Sequence, residues 1–409
     1  MEKHDIIIVG AGISGLGLAY FCAEAGMEVL VLEESERTGG CFHSYRFGGR
    51  SEGRSGMDGE DFWLELGAHT CYNSYTTLIR IMEGCGLLGL IRKREKVPFR
   101  MLAGGRICSI PSQLDFLELL LSAPRVLTAK KSGKSVEEYY APLVGRNNFT
   151  RVFSPAFNAV VSQDASGFPA DMLFKRRARR KDVLKSFTLE GGLQTITDSL
   201  SARKGVSVLT GKAVRSVGYG QDRFSVGTED GTSFSAASLA LATPASVAAG
   251  LLRASFPDIA GFLSGIPLKT IETAGAVFET EKALLFPPLA GLIAVNDSFF
   301  SAVSRDTVPH PRYRGVSFHF KPGVLDDEAK RRRSAAVVQA GQMEECVFRR
   351  SALPSLAVGQ RQVVESVDGG LAGKRLLLTG NYFLGLAIED CVARSLSEFT
   401  RLQDLLKQE

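Results

Sequence analysis

Residues 6–33 constrain the fold of this chain more than any other stretch. Ile6-Ile7-Ile8-Val9 reads as a short apolar strand running into Gly10-Ala11-Gly12-Ile13-Ser14-Gly15. An apolar helical pattern follows (Leu16, Leu18, Ala19, Phe21, Cys22), then a second strand, Val29-Leu30-Val31-Leu32, which ends on Glu33. Strand, glycine turn, helix, strand and acid in this order form the dinucleotide-binding fingerprint. Gly10 permits the tight turn, Gly12 lets a pyrophosphate approach the backbone, and Gly15 lets helix and strand pack closely. The helix start offers unpaired N–H groups and a positive dipole end to phosphate, and Glu33 stands where a carboxylate accepts from ribose hydroxyls.

A second glycine-rich element, Arg37-Thr38-Gly39-Gly40, follows within one short loop. Read alone it is a surface turn, since paired glycines are common in loops. After a ribose-binding acid it reads as a second backbone approach to the same ligand, with Arg37 free to neutralise phosphate charge. No second complete G-x-G-x-x-G is present, which disfavours a nicotinamide enzyme.

At 409 residues the chain can build two domains, and 44% hydrophobic with 23% charged residues is the composition of a soluble globular protein. Strand one begins almost at the amino terminus, and no apolar run approaches the ~20 residues that span a bilayer, so the expected location is the cytoplasm. Seven scattered cysteines (22, 41, 71, 85, 108, 346, 391) contain no C-x-x-C pair. The five histidines, His4, His43, His69, His310 and His319, lack ligand spacing, so neither a metal nor a disulfide framework is expected. The net charge of +5 is uneven: residues 175–181 (KRRARRK) and 330–333 (KRRR) are basic runs. Such runs ordinarily form solvated surface; the sharper alternative is attraction to anionic headgroups or a carboxylate-bearing substrate. No aromatic platform or motif points to nucleic acid.

Further along, residues 99–102 and 106–110 flank Ala103-Gly104-Gly105 as a hairpin. Leu114, Phe116, Leu117, Leu119, Leu120 and Leu121 form an apolar helical stretch, with Asp115 and Glu118 opposite, expected to bury its apolar face rather than anchor in a membrane. Residues 136–170 read as helix broken by Pro142, Pro155 and Pro169. From Phe187 the chain is expected to return to the first domain, with a helix over 195–202, a strand over 206–209, antiparallel strands over 212–217 and 223–226, and a buried strand over 239–243. Later strands are expected over 274–278 and 315–320, then 375–379, with Gly385-Leu386-Ala387 opening the last helix.

Taken together, these blocks resemble the FAD-dependent oxidoreductases that include amine oxidases, phytoene desaturases and protoporphyrinogen oxidases. Glu190-Gly-Gly-Leu-Gln-Thr, Leu241-Ala-Thr-Pro-Ala, residues 380–391 and Glu65-Leu66-Gly67-Ala68-His69 resemble protoporphyrinogen oxidase blocks in the same order. The resemblance implies an α/β fold, a Rossmann-like FAD-binding domain of glutathione-reductase type interleaved with a mixed α+β substrate domain. The FAD domain would comprise 1–80, 187–250 and 361–409, the substrate region 81–186 and 251–360. Gly10, Gly12, Ile13, Ser14, Gly15, Glu33, Glu34, Arg37, Gly39 and Gly40 would hold adenosine and pyrophosphate, and Val214 would meet the adenine through its backbone. Gly67, Ala68, His69, Gly380, Asn381, Leu386 and Ala387 would complete the cofactor site. A helix starting near Leu386 would aim its dipole at the flavin N1–C2=O edge and stabilise reduced flavin.

Three departures qualify the resemblance. Where the family carries a further arginine after Gly39-Gly40, this chain has Cys41. Where monoamine oxidases attach flavin through cysteine, it has Asn381-Tyr382, so FAD would be non-covalent; and no lysine lies on the 273–276 strand, where amine oxidases place one near the flavin. The implied reaction is oxidation of a porphyrinogen to a porphyrin in haem biosynthesis, by successive hydride transfers to flavin N5, with dioxygen or another carrier as acceptor. No catalytic side-chain pair is required. Arg100, Arg106 and Arg176 are candidates to meet substrate propionates, and contact at the inner face of the membrane is a further expectation. An amine oxidase, a carotenoid-type desaturase, or a non-catalytic flavin-containing tetrapyrrole carrier are the alternatives.

Overall fold

The computed structural model describes residues 4–48 and 62–408. Its first sheet is organised around β1 (His4–Val9), whose Ile6, Ile7 and Ile8 are wholly buried. On one side β1 pairs in parallel with β2 (Val29–Leu32), which pairs in turn with Val206–Leu209. On its other side lies Ser233–Leu241, also parallel, in the register Ile6 to Ser238 and Val9 to Leu241. Leu376–Leu378 extends the parallel part beyond Ser233–Leu241, while Arg223–Thr228 and Val214–Gly220 continue the sheet antiparallel.

Parallel strands this apolar must be covered on both faces. Ile6 and Ile8 face a core containing Leu16, Phe21, Val392 and Phe399; Ile7 and Val9 face another containing Ala248, Leu252, Ile259 and Phe383. The helix α1 (Ile13–Glu24) is buried at every position from Ile13 to Cys22, as befits a helix that is apolar all round. It packs on the final helix, Ile388–Gln408, where Phe21 and Phe399 stack with ring centroids 5.9 Å apart.

A second seven-stranded sheet runs in the order 345–354, 268–279, 313–320, 299–304, 291–294, 99–103, 106–109. The expected hairpin is present (Phe99–Ala103 with Arg106–Ser109) and is joined to this sheet through parallel pairing with Gly291–Ala294. Its core is aromatic, with Phe278, Phe299, Phe318 and Phe320 all buried. Together the two sheets and their helices form the mixed α/β architecture expected.

Four local expectations are corrected. The apolar helix Phe116–Ser122 does not bury its leucines: Phe116, Leu117, Leu120 and Leu121 are 64–70% exposed, because Glu118 turns inward instead. Asp115 caps the helix by accepting from the Glu118 amide, and the Glu118 carboxylate accepts from the Asn147 and Asn148 amides. Nor are the basic runs plain solvated surface. Lys175 and Arg177 pair with buried Asp390, Arg180 with Glu83 and Asp182, and Lys330 is buried against Glu272 and Asp327. Pro142 sits inside the helix Val136–Val144 rather than breaking it, and Pro155 lies in the helical run 146–161 just after its π-wound stretch Phe149–Phe153. The 273–276 strand is longer than expected, Leu268–Glu279, so Lys269 does lie on it, at an exposed position.

Candidate cofactor and active site

Both glycine loops meet at the start of α1. The Gly39 amide donates to the Ala11 carbonyl at 2.8 Å, and Gly12 and Gly39 form an isolated parallel bridge. Gly10 has φ +102°, and a side chain there would lie 2.7 Å from the Ala242 carbonyl oxygen. A Cβ on Gly15 would sit 1.9 Å from the Gly10 oxygen, so any side chain forces strand and helix apart. Gly12 differs: its nearest neighbour would be Gly40 Cα at 3.8 Å, which leaves its Cβ position open to an approaching ligand. No side chain caps α1 and no acid stands in its first turn, although Ile13, Ser14 and Gly15 are buried. The first N–H groups of this helix are therefore presented to the space beside Gly12 and Gly40.

The acid at the end of β2 is already aimed at this loop. Glu33 accepts from the Ala11 amide at 2.7 Å and from the Ser35 amide at 3.0 Å, while its backbone carbonyl receives Lys212 N. That last bond draws residues 212–214 alongside, and Val214 is buried at the adjoining sheet edge. Glu34 is exposed. Arg37 is not free as expected. Its Nη1 donates to the Thr38 and Phe42 carbonyls and to Gln194 Oε1, and its Nη2 to the Gly40 carbonyl, so it fixes the loop's shape rather than offering bare charge.

Glu65 and Gln194 tie the separated segments together. The Glu65 carboxylate accepts from Ser44 Oγ at 2.8 Å and from the Leu193 amide at 2.8 Å; burial pushes its pKa up to about 7. Residues 66–68 run beside 41–43 through Leu66 N to His43 O and Ala68 N to Cys41 O, and a Cβ on Gly67 would meet the Cys41 oxygen at 2.1 Å. At the other end Ser395 Oγ donates to the Ser14 carbonyl at 2.7 Å, locking the last helix against α1. Gly380 (φ +153°) and Asn381 precede Tyr382 and Phe383, which are buried, and Leu386 and Ala387 are half-buried just before the helix begins at Ile388. Asp390, in its first turn, is the anion that holds Lys175 and Arg177.

The second sheet presents a polar row toward these loops that sequence reading missed. Thr273, His319 and Arg349 stand side by side on three adjacent strands, with Thr273 Oγ1 and His319 Nδ1 3.1 Å apart. Arg349 Nη2 donates to the Gly40 carbonyl at 2.5 Å. His69, whose Nδ1 lies 3.0 Å from Thr70 Oγ1, faces His319 and lines a small cavity of about 30 Å³ with Glu65, Arg94 and Trp63. Burial and neighbouring cations hold all three local histidines neutral, His69 near 3 and His43 and His319 near 4. The signal for His319 was a polar ring between Phe318 and Phe320 in the 315–320 strand; Arg349 carries none. Of the arginines proposed for propionates, Arg106 is exposed beside the hairpin turn and Arg176 is exposed on its loop, while Arg100 is half-buried in the hairpin.

Three buried polar atoms around the loops have no partner: His43 Nδ1, Thr243 Oγ1 and Arg349 Nη1. Buried groups of this kind need a partner, which water, an ion or a ligand can supply. With an open Gly12 cradle, an uncapped helix and a ribose-type acid, they fit a flavin dinucleotide.

Comparison with known proteins agrees. The model of the flavin containing amine oxidoreductase family matches residues 13–281. The chain is 61% identical over 44 residues to L-amino acid oxidase Lm29 of Lachesis muta, a stretch covering 11% of this chain and 8% of that protein. In structure it is similar to a provisionally named protoporphyrinogen oxidase of Exiguobacterium sp. 255-15 (TM-score 0.80, 17% identity, all of both chains). It is also similar to cyclohexylamine oxidase of Brevibacterium oxydans IH-35A (TM-score 0.73, 14% identity, 99% of this chain and all of that one). At these identities the structural likenesses speak for the fold. The chain belongs to the flavin containing amine oxidoreductase family.

Proposed function

We propose that this protein is an FAD-dependent oxidase that converts a porphyrinogen to the porphyrin, with FAD held non-covalently. The observation that carries the choice of substrate is the polar row facing the glycine loops. Where an amine oxidase would place lysine, the buried part of the strand Leu268–Glu279 offers Thr273, hydrogen-bonded to a neutral His319. Glu272, its other buried polar group, is consumed by Lys330 and Arg350. Asn381-Tyr382 stands before the last helix where monoamine oxidases carry the attaching cysteine, and Cys391 is buried, which supports non-covalent FAD. In this reading residues 1–80, 187–250 and 361–409 carry the cofactor and 81–186 with 251–360 the substrate.

When bound, FAD would supply the hydride acceptor for the substrate and the relay of electrons to dioxygen or another carrier. The chain's own residues supply position and charge. Glu33 would take the ribose, the α1 N-terminus with Gly12 and Gly40 the diphosphate, and the residues before the last helix the flavin ring. Burial holds His69 and His319 neutral, so neither would keep a proton at neutral pH, and protons released by the substrate would pass to solvent. The test is acid precipitation of the purified protein, followed by chromatography of the supernatant and a substrate panel. Free FAD, with turnover of porphyrinogen and none of amines or polyenes, supports the reading; flavin retained in the pellet, or turnover of amines alone, overturns it.

The exposed apolar helix favours one addition, docking on an anionic bilayer. Phe116, Leu117, Leu120, Leu121, Val126 and Leu127 are all more than half exposed, Glu118 faces inward, and Lys130 and Lys134 are exposed nearby. An apolar face with a basic margin is complementary to anionic lipid.

A further inference from the structure

We propose that Arg349 supplies, from the second sheet, the cation that the glycine loop lacks at position 41, and that it holds anionic oxygen of the flavin cofactor. This inference rests on the flavin reading above. Arg349 lies on the strand Glu345–Pro354, paired opposite Thr273. Its Nη2 reaches the Gly40 carbonyl, and its Nη1 lies 2.9 Å from where a Cβ on Gly67 would stand. The guanidinium is thus wedged between the two backbone segments, 39–41 and 66–68, that border the cradle.

Three observations separate it from a structural arginine. Among the described residues no carboxylate pairs with Arg349, whereas its neighbour Arg350 points the other way and pairs with Glu272 at 3.1 Å. Nη1 is buried without a hydrogen-bond partner, a costly state for a charged group unless an anion completes it. The other loop cation, Arg37, has its donors taken up by the Thr38, Gly40 and Phe42 carbonyls and Gln194. Arg349 therefore keeps a buried, unpartnered Nη1 at this loop, next to Cys41. The charge has been moved from the loop to a strand of the opposite sheet, so the bound cofactor would join the two sheets electrostatically.

Anionic oxygen here could belong to the diphosphate or to the reduced ring, and two measurements distinguish them. The variants are Arg349→Gln, which keeps a donor for Gly40 while removing charge, Arg349→Lys, and Arg349→Gln with Cys41→Arg. Apoprotein of each is titrated with FAD, its flavin midpoint potential is measured, and thermal unfolding checks the fold. For a diphosphate contact, Arg349→Gln weakens FAD binding at least tenfold at an unchanged potential. For a ring contact, reduced flavin loses about tenfold relative to oxidised, about 30 mV for a two-electron couple. In either case Arg349→Lys or the added Cys41→Arg restores at least half of the loss. Unchanged affinity and potential in Arg349→Gln would overturn the proposal, as would a loss that neither cation restores. A wild-type protein that takes up no FAD would instead overturn the flavin reading itself.

Discussion

The Gly39 amide donates to the Ala11 carbonyl at 2.8 Å, so the loop after β1 and the loop after β2 form one continuous backbone surface. Two glycines in that surface carry opposite consequences. Gly12→Ala puts a methyl into open space, and should cost the apoprotein no more than about 1 kcal/mol. It should nevertheless weaken flavin binding at least tenfold, because the methyl occupies the cradle. Gly15→Ala sets a methyl 1.9 Å from the Gly10 oxygen and should destabilise by about 3 kcal/mol through forced separation of strand and helix. Urea unfolding and FAD titration of the two variants check the contrast.

Asp390 should matter for stability out of proportion to its position. Its carboxylate is 6% exposed and accepts from Arg177 at 2.7 Å and Lys175 at 3.1 Å. Asp390→Asn leaves two cations facing each other at the start of the last helix. A loss of about 2–3 kcal/mol is expected, at the low end for a broken buried pair because both cations keep some water. Denaturant unfolding reads it, and Lys175→Met added to Asp390→Asn should recover part.

Stability should fall with acid in a defined window. His69 and His319 are held neutral to about 3 and about 4, whereas in the unfolded chain they protonate near 6.5. Below 6.5 the unfolded state binds more protons, so the stability these histidines contribute is present above 6.5 and lost as pH falls toward 4. Glu65 acts oppositely: its folded pKa is raised from 4.5 to about 7, so its contribution is full below 4.5 and lost as pH rises through 7. With His43, also held neutral to about 4, three histidines against one glutamate give a net loss approaching about 2.7 kcal/mol per pH unit between 6.5 and 4.5. His319→Gln should flatten that slope when unfolding is followed at both pH values.

Membrane docking through Phe116–Leu127 predicts co-sedimentation with vesicles containing anionic phosphatidylglycerol at low salt. Leu120→Glu with Leu121→Glu should abolish it and leave stability within about 0.5 kcal/mol, since both side chains are 70% exposed. Equal binding by wild type and variant would locate any lipid contact elsewhere.

The cofactor half of this architecture is legible in the sequence because its determinants are local. Gly10, Gly12 and Gly15 act on a single turn, and the Ile6–Val9 strand must be buried whatever surrounds it. The remainder depends on partners distant in the chain. Nothing near Leu120 reveals that Glu118 turns inward to hold the Asn147 and Asn148 amides, which is what leaves the leucines outside. Lys175 and Arg177 read as surface until Asp390 is brought beside them. Arg349 shows the same limit most sharply, since its role is set by its strand's register against Thr273 and by the cysteine at position 41.

The most direct test of the account is anaerobic mixing of the FAD-loaded protein with protoporphyrinogen in a stopped-flow instrument, following flavin absorbance and porphyrin fluorescence together. The account predicts that the flavin band bleaches as porphyrin fluorescence appears, within a single turnover. A flavin that stays oxidised, while cyclohexylamine or a polyene bleaches it, would contradict the account.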